Sequence, residues 1–183
     1  MASTKKTVKK IIKKRPTIKH LVFDVDGVFT TGQFLYTAKG KFAKVFGAHD
    51  NDGIKLIKPH VSIHAITADK RGYEVTKKRI SDDMGLDLHL VPEGDRLAWM
   101  KEHFEMDKTA YVGDGIFDAY IFGHVCYGIA PANAFHFAKK HADYVTKEKS
   151  GEGAVAEACL HLLGKFFEYN SMLKELSGKK KKK

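Results

Sequence analysis

Short apolar runs alternate along the chain with stretches in which apolar residues recur every three or four positions. The short runs are typical of strands, and they occupy 20–27, 61–67, 86–91, 109–114, 126–130 and 142–146. The other stretches predict helices over 52–57, 72–85, 96–104, 117–124, 132–142 and 153–167. Two aromatic-rich arms within 33–46, on either side of Lys39-Gly40, predict a β-hairpin.

Strands that alternate with helices predict an α/β fold built on a parallel sheet. We expect a Rossmann-like sheet with helices on both faces and with the hairpin inserted after the first strand. In such sheets ligands bind beyond the carboxyl ends of the strands. Asp24, Thr67 and Asp114 each end or follow a predicted strand, so a parallel sheet would bring all three to one edge.

The length of 183 residues favours a single domain. Most of the net charge of +10 comes from two lysine-rich ends, which predicts a basic arm at 1–16, a globular domain at 17–167 and a basic tail at 168–183. Basic ends can bind nucleic acid, but solvated ends are the favoured interpretation here. No basic patch interleaved with aromatic residues supports nucleic-acid recognition.

Membrane and disulfide signals are both missing from the sequence. No apolar run approaches the roughly 20 residues that span a bilayer, and the N-terminus lacks the apolar core of a signal peptide. The cysteines are Cys126 and Cys159, so a disulfide framework is not expected. These features favour a cytoplasmic protein without a membrane partner.

Paired carboxylates lie in the polar end of the first predicted strand. Asp24 and Asp26 are two positions apart, and such residues of an extended segment point to the same side, where their charges repel. A bound divalent cation makes ionised oxygens favourable, and Mg²⁺ prefers such ligands. Asp114 could supply a third carboxylate, with Asp118 supporting it one helical turn later. A lone pair would suggest a turn or a cap, but this second cluster favours a metal site.

Two further residues suit a phosphate group. The Thr67 hydroxyl and nearby backbone N–H groups could hold a phosphate, although threonine also suits a helix N-cap. Arg96 begins a predicted helix, and a cation there could hold a phosphoryl group during transfer. On spacing alone, a solvated helix residue is the simpler interpretation of Arg96.

The order of these motifs resembles that of the haloacid dehalogenase superfamily of phosphohydrolases. The matching segments are FDVDGVFTTG at 23–32, Thr67 and VGDGIFD at 112–118. The likeness extends over residues 19–165 and is most specific to the capless subgroup, which includes phosphatases of phosphorylated keto-deoxy sugar acids. The resemblance implies a Mg²⁺-dependent phosphomonoesterase without a large cap domain.

The resemblance also implies roles for the acidic residues. Asp24 would be the nucleophile that forms an aspartyl-phosphate, and Asp26 would be the general acid and base. Mg²⁺ would be held by Asp24, by Asp26 through its backbone carbonyl, and by Asp114, with Asp118 orienting these ligands. Phosphate binding would fall to three residues at the same edge: Thr67, Ala68 and Arg96.

The chain departs from the family's pattern where the substrate would be recognised. Relatives commonly carry lysine where Arg96 aligns. They also commonly follow the motif threonine with Gly-Arg, where this chain has Ala68-Asp69. The role of the missing arginine would then shift to Lys70 or Arg71. His49 stands where relatives often have arginine, so Lys70, Arg71 and His49 are the predicted substrate-binding residues.

The family resemblance further implies a homotetramer in which the hairpins pack around a central axis. The hairpin carries more aromatic surface than a small exposed hairpin normally does, in Phe34, Tyr36, Phe42 and Phe46. Packing of these side chains on the chain's own core is the alternative.

The resemblance thus implies a phosphatase for an eight-carbon keto-deoxy sugar acid phosphate, in the synthesis of a cell-surface sugar such as that of lipopolysaccharide. One alternative is the same chemistry on a nine-carbon acid phosphate or on another sugar phosphate. A second is a catalytically silent, phosphatase-like structural or regulatory domain. A nucleic-acid-associated protein that uses its lysine-rich ends is a third, and it predicts strongly salt-dependent binding.

Overall fold

The computed structural model of the protein describes residues 17–167 and residue 169. The predicted basic arm and, apart from Tyr169, the predicted basic tail lie outside the described residues, so the domain boundaries stay predictions. Within the described residues, no helix is long and apolar enough to cross a membrane.

Eight strands form two sheets in the described residues. They are β1 (His20–Asp24), β2 (Thr30–Thr37), β3 (Gly40–Phe46), β4 (Ser62–Thr67), β5 (Asp87–Leu90), β6 (Thr109–Val112), β7 (Tyr127–Ala130) and β8 (Tyr144–Val145). Six of them form a parallel sheet in the order β5-β4-β1-β6-β7-β8. The central strand β1 pairs on both sides, because Leu21 lies opposite Ile63 of β4 and also opposite Ala110 of β6.

Helices cover both faces of this sheet. They are α1 (Asp50–Ile57), α2 (Tyr73–Lys77), α3 (Arg96–His103), α4 (Ile116–Phe122), α5 (His136–His141) and α6 (Ala154–Phe166). Successive side chains of a strand point to opposite faces, so β1 serves two cores. Leu21 and Phe23 share a core with α1 and α6, whereas Val22 packs with residues of α3, α4 and α5. The predicted Rossmann-like α/β fold is confirmed, and the described segments hold no cap-sized insertion.

The predicted hairpin is a separate antiparallel pair, β2 with β3. Its aromatic side chains divide into two groups. Phe34, Tyr36 and Phe42 are 41%, 55% and 58% exposed, as the prediction of an aromatic surface requires. Phe46 instead packs against the main core, so the prediction is wrong for that residue.

Two predicted helices differ in extent from the observed ones. The helix predicted at 72–85 is α2 followed by a wider π-helical turn, Lys78–Asp83, and Gly85 ends it with a φ of +64°. The helix predicted at 132–142 begins only with α5. Its first residues form a turn instead, in which the amide of Ala134 donates to the carbonyl of Pro131 over 3.0 Å.

Candidate active site

The carboxyl ends of three neighbouring strands carry the predicted site. Asp24 is the last residue of β1 and Thr67 is the last residue of β4, while Asp114 lies just beyond β6. Because these strands are adjacent and parallel, the three residues meet at one edge of the sheet, as predicted. The edge borders a cavity of about 540 Å³, whose lining includes Asp24, Asp26, Ala68, Arg96, Asp114 and Asp118.

Arg96 is a buried cation at the base of this cavity. The residue is 3% exposed, so its interpretation as a solvated helix residue is wrong. Its Nη2 lies 3.2 Å from Oδ1 of Asp24, and its Nη1 lies 2.8 Å from Oδ1 of Asp118. The planar guanidinium bridges two carboxylates, which the single ammonium of a lysine would do less well.

Asp118 is held by contacts to both of its carboxylate oxygens. Oδ1 accepts hydrogen bonds from Arg96 and from the Tyr111 hydroxyl, at 2.8 and 2.6 Å. Oδ2 accepts from the backbone amides of Asp114 and Gly115, at 2.9 and 2.8 Å, and thereby caps the first turn of α4. These contacts fix the loop that carries Asp114, in line with an orienting role for Asp118.

The acidic cluster suits a divalent cation. Carboxylate oxygens of Asp24, Asp114 and Asp118 lie within 4.8 Å of one another. Burial, with the charge of Asp118 adding to it, raises the pKa of Asp114 to about 7. Burial also raises the pKa of Asp24 well above its ordinary value. A bound cation would remove this penalty on the ionised forms, and Asp24 and Asp114 are the members with oxygens left to bind one.

Two glycines allow this close packing of carboxylates. A Cβ added at Gly27, where φ is +92°, would lie 2.1 Å from Oδ2 of Asp114. A Cβ at Gly113 would lie 2.5 Å from Cγ of Asp118. Since real Cβ atoms do not come so near to another atom, both positions require glycine for the observed placement of the acidic groups.

The side chain of Asp26 takes part in a different set of contacts. The Thr67 hydroxyl donates to its Oδ2 over 2.9 Å, and Nζ of Lys44 lies 2.7 Å from its Oδ1. The Asp26 carboxylate therefore stands apart from the acidic cluster. The fully buried Thr67 also accepts a hydrogen bond from the amide of Asp69. Its observed role is to hold Asp26, and its predicted contact with phosphate stays a prediction.

The sequence analysis missed three residues of the site: Lys41, Lys44 and Asp69. Both lysines come from β3 and pair with Oδ2 of Asp69, at 2.5 and 2.8 Å. Burial opposes the ionised form of Asp69, but hydrogen bonds from Lys41 and Lys44 outweigh it and lower the pKa to about 2. The only signal in the sequence was two lysines in an apolar strand, and such lysines usually face water at a sheet edge.

We call the cavity lining away from the acidic cluster its mouth. Most of its side chains are cationic or aromatic, and Glu93 is an acidic member: Lys41, Lys70, Arg71, Phe34, Tyr36, Phe117 and Glu93. Of the three predicted substrate-binding residues, the structure brings two to the cavity. His49 instead lies exposed at the start of α1 and does not line it, so its role stays a prediction.

Comparison with known proteins identifies the family. A family model described as haloacid dehalogenase-like hydrolase matches residues 97–159. A 3-deoxy-D-manno-octulosonate 8-phosphate phosphatase from Haemophilus influenzae is 31% identical over 149 residues, which cover 79% of this chain and 82% of that protein. The chain belongs to the haloacid dehalogenase superfamily. The predictions of this superfamily and of a phosphatase are thereby confirmed.

Solved structures of this superfamily agree over most of the chain. A probable phosphatase of the YrbI family from Pseudomonas syringae superimposes with a TM-score of 0.78 at 29% identity, covering 88% of this chain and 93% of its own. The cobalt-bound deoxy-D-mannose-octulosonate 8-phosphate phosphatase from Haemophilus influenzae superimposes with a TM-score of 0.71 at 28% identity. The match covers 82% of this chain and 90% of that one. The superfamily fold therefore extends over most of the chain.

Proposed function

We propose that this phosphatase is a Mg²⁺-dependent phosphomonoesterase that works through an aspartyl-phosphate. The observation that carries the proposal is the placement of Asp24. Its carboxylate ends the central strand, contacts Arg96, and lies within 4.8 Å of oxygens of Asp114 and Asp118. This constellation combines a nucleophile, a cation and metal ligands at one edge of the sheet.

Asp24, Asp114 and the backbone carbonyl of Asp26 would hold the metal ion. When bound, Mg²⁺ would supply positive charge to the transferring phosphoryl group. The cobalt-bound relative from Haemophilus influenzae supports a divalent cation in this family, and the hard oxygen donors of this chain suit Mg²⁺.

Contacts hold the Asp24 carboxylate in place, because the Val25 amide and Arg96 both contact its Oδ1. One oxygen of this carboxylate would attack while the other would bind the metal ion. The attacking oxygen bonds to phosphorus while the bond from phosphorus to the substrate oxygen breaks, and Asp26 gives its proton to that oxygen. Asp26 then takes a proton from water as the water oxygen bonds to phosphorus. The bond to Asp24 breaks, and inorganic phosphate leaves.

The substrate that we propose is a phosphorylated keto-deoxy sugar acid, 3-deoxy-D-manno-octulosonate 8-phosphate or a close relative, used in making a cell-surface sugar. The similar protein from Haemophilus influenzae bears that substrate in its name. Lys70 and Arg71 line the mouth and would meet the substrate carboxylate. Asp69 does not cancel their charge, because Lys41 and Lys44 already neutralise it.

Phosphate release from a panel of sugar phosphates and sugar-acid phosphates tests the proposal, with Mg²⁺ and with a chelator. The panel includes the eight-carbon and nine-carbon keto-deoxy acid phosphates. We expect chelator-sensitive release that favours the eight-carbon acid. Asp24→Asn should abolish it, whereas the matched control Asp87→Asn, whose side chain is 74% exposed at the amino end of β5, should not.

The panel also separates the alternatives. Preference for the nine-carbon acid or a neutral sugar phosphate would keep the chemistry and replace the substrate. No release from any member by folded protein would refute the enzymatic proposal and favour a silent, phosphatase-like domain. Full activity in Asp24→Asn would refute the covalent mechanism.

A further inference from the structure

Lys44 is a buried lysine that connects the hairpin to the catalytic edge. Its side chain is 0% exposed, although lysine is almost never fully buried unless it is paired. Three oxygens lie close to its Nζ: Oδ1 of Asp26 at 2.7 Å, Oδ2 of Asp69 at 2.8 Å and Oγ1 of Thr76 at 2.7 Å. Its ammonium donates a hydrogen bond to Thr76 and forms ion pairs with both carboxylates. Oδ1 of Asp26 has no hydrogen-bond partner, so its contact with Lys44 is one of charge and proximity.

These contacts place Lys44 against the residue that exchanges protons in the proposed mechanism. One oxygen of Asp26 is held by the Thr67 hydroxyl and the other faces Lys44. Without Lys44, Thr67 alone would hold Asp26, and a carboxylate held at one oxygen can still rotate. A proton donor has to stay within hydrogen-bond reach of the leaving oxygen to act in the transition state.

We infer that Lys44 is a positioning residue that holds the carboxylate of Asp26 in place for proton transfer. Asp69 and Thr76 in turn contact the ammonium of Lys44, at 2.8 and 2.7 Å. The hairpin strand β3 thus belongs to the catalytic apparatus. This inference rests on the proposed function, in which Asp26 serves as general acid and base.

The competing explanation is that Lys44 only anchors the hairpin to α2. The two explanations predict different responses to the leaving group. A p-nitrophenolate ion leaves readily without a proton, whereas phenolate depends more strongly on a proton donor. Displacement of Asp26 therefore affects phenyl phosphate more than p-nitrophenyl phosphate, and a weakened anchor affects both alike.

The test compares kcat/KM for p-nitrophenyl phosphate and phenyl phosphate, with Mg²⁺, in wild type and Lys44→Met. General acid catalysis contributes about 10²- to 10⁴-fold. We therefore expect the kcat/KM for p-nitrophenyl phosphate, divided by that for phenyl phosphate, to rise by about tenfold or more in Lys44→Met. Lys39→Met is the matched control, because it makes the same change at an exposed lysine in the turn between β2 and β3. Its ratio should stay at the wild-type value.

A second comparison uses Asp26→Asn. If Lys44 acts through Asp26, adding Lys44→Met to Asp26→Asn should lower the residual kcat/KM by less than about twofold, as expected for residues that act as a unit. Equal losses on both substrates in Lys44→Met, or losses that multiply fully in the double variant, would overturn the inference.

Folding is checked by thermal unfolding of each variant. If Lys44→Met shows no cooperative transition, Lys44→Gln, which keeps polar contacts without the charge, takes its place in both comparisons. Failure of both variants to fold would assign Lys44 to the structure alone and overturn the inference. Wild type that releases phosphate from neither aryl phosphate nor any member of the sugar-phosphate panel would refute the proposed function and the inference together. If wild type acts on the panel alone, the double-variant comparison is made with the sugar-acid phosphate, and losses that multiply fully there would overturn the inference. Active wild type with an unmoved ratio would refute the inference alone.

Discussion

Gly27→Ala should damage the metal site more than it damages the fold. Gly27 has a φ of +92°, and an added Cβ would lie 2.1 Å from Oδ2 of Asp114. A non-glycine residue in left-handed backbone costs about 1–2 kcal/mol. In addition, the Asp114 carboxylate has to move by about 1 Å to regain an allowed contact, and a displacement of about 1 Å in an active site can cost about 10²-fold in rate.

Two other glycines separate strain from collision. Gly40 has a φ of +115° with no atom within 4 Å of an added Cβ, so Gly40→Ala carries the strain without the collision. Gly113→Ala carries the collision without a positive φ, since its Cβ would lie 2.5 Å from Cγ of Asp118. The free energy of unfolding should fall by about 1–2 kcal/mol in both Gly27→Ala and Gly40→Ala. This loss corresponds to a fall of about 2–8 °C in Tm.

The assay is kcat/KM for p-nitrophenyl phosphate as a function of Mg²⁺ concentration. Gly27→Ala should lose about 10²-fold in kcat/KM and require more Mg²⁺ for half of its activity. Gly40→Ala should retain the wild-type Mg²⁺ dependence. Wild-type kcat/KM and Mg²⁺ dependence in folded Gly27→Ala would refute the reasoning that this glycine gives Asp114 its place. An equal loss in Gly40→Ala would trace the effect to backbone strain.

Three further predictions concern charge and assembly. Asp69 has a pKa lowered to about 2 from an ordinary value of 3.8, so its ion pairs stabilise the fold above about pH 4 and lose this effect as the pH falls toward 2. The urea-unfolding free energies of wild type and Asp69→Asn should therefore converge across that window, and a constant gap would exclude the ion pairs as its source. Arg96→Met leaves two buried carboxylates without their cation and should cost about 3–5 kcal/mol. Arg96→Lys should recover part of this stability, whereas equal melting curves of the two variants would show that the charge is not needed. Light scattering of wild type should give a tetramer, which Tyr36→Ser combined with Phe42→Ser should break. Leu160→Ser, at a site 42% exposed on α6, should leave it intact, and a monomeric wild type would contradict the predicted assembly.

The acidic site could be predicted from the sequence because its residues lie at or just beyond the ends of strands. The apolar runs before Asp24, Thr67 and Asp114 marked three strands. Parallel pairing brings the carboxyl ends of such strands to one edge of the sheet, independently of the conformation of the loops. Side-chain spacing added Asp118 one helical turn after Asp114. These inferences needed only the order of the strands and helices and the spacing of the apolar residues within each of them.

The lysines of β3 could not be placed in the same way. The pairing of β2 with β3 shifts register twice, between Thr30 and Phe34 and between Leu35 and Tyr36. A shift of one residue moves a side chain to the other face of a strand, so the alternation of the sequence did not show that Lys44 points inward. The burial of Arg96 was hidden for a similar reason, because it depends on how α3 packs beside β1 rather than on local pattern.

The order of the strands also determines when the enzyme becomes active as it folds. The central strand acquires its neighbours from distant parts of the chain, since Leu21 pairs with Ile63 and with Ala110. Closing such long loops is slow, because chain entropy is lost before the contacts form. The β2–β3 hairpin is a local pair and can form early, whereas Asp24 and Asp114 meet only after β6 has joined β1. We therefore expect catalytic activity to return late in a refolding experiment and to report the closure of the central sheet.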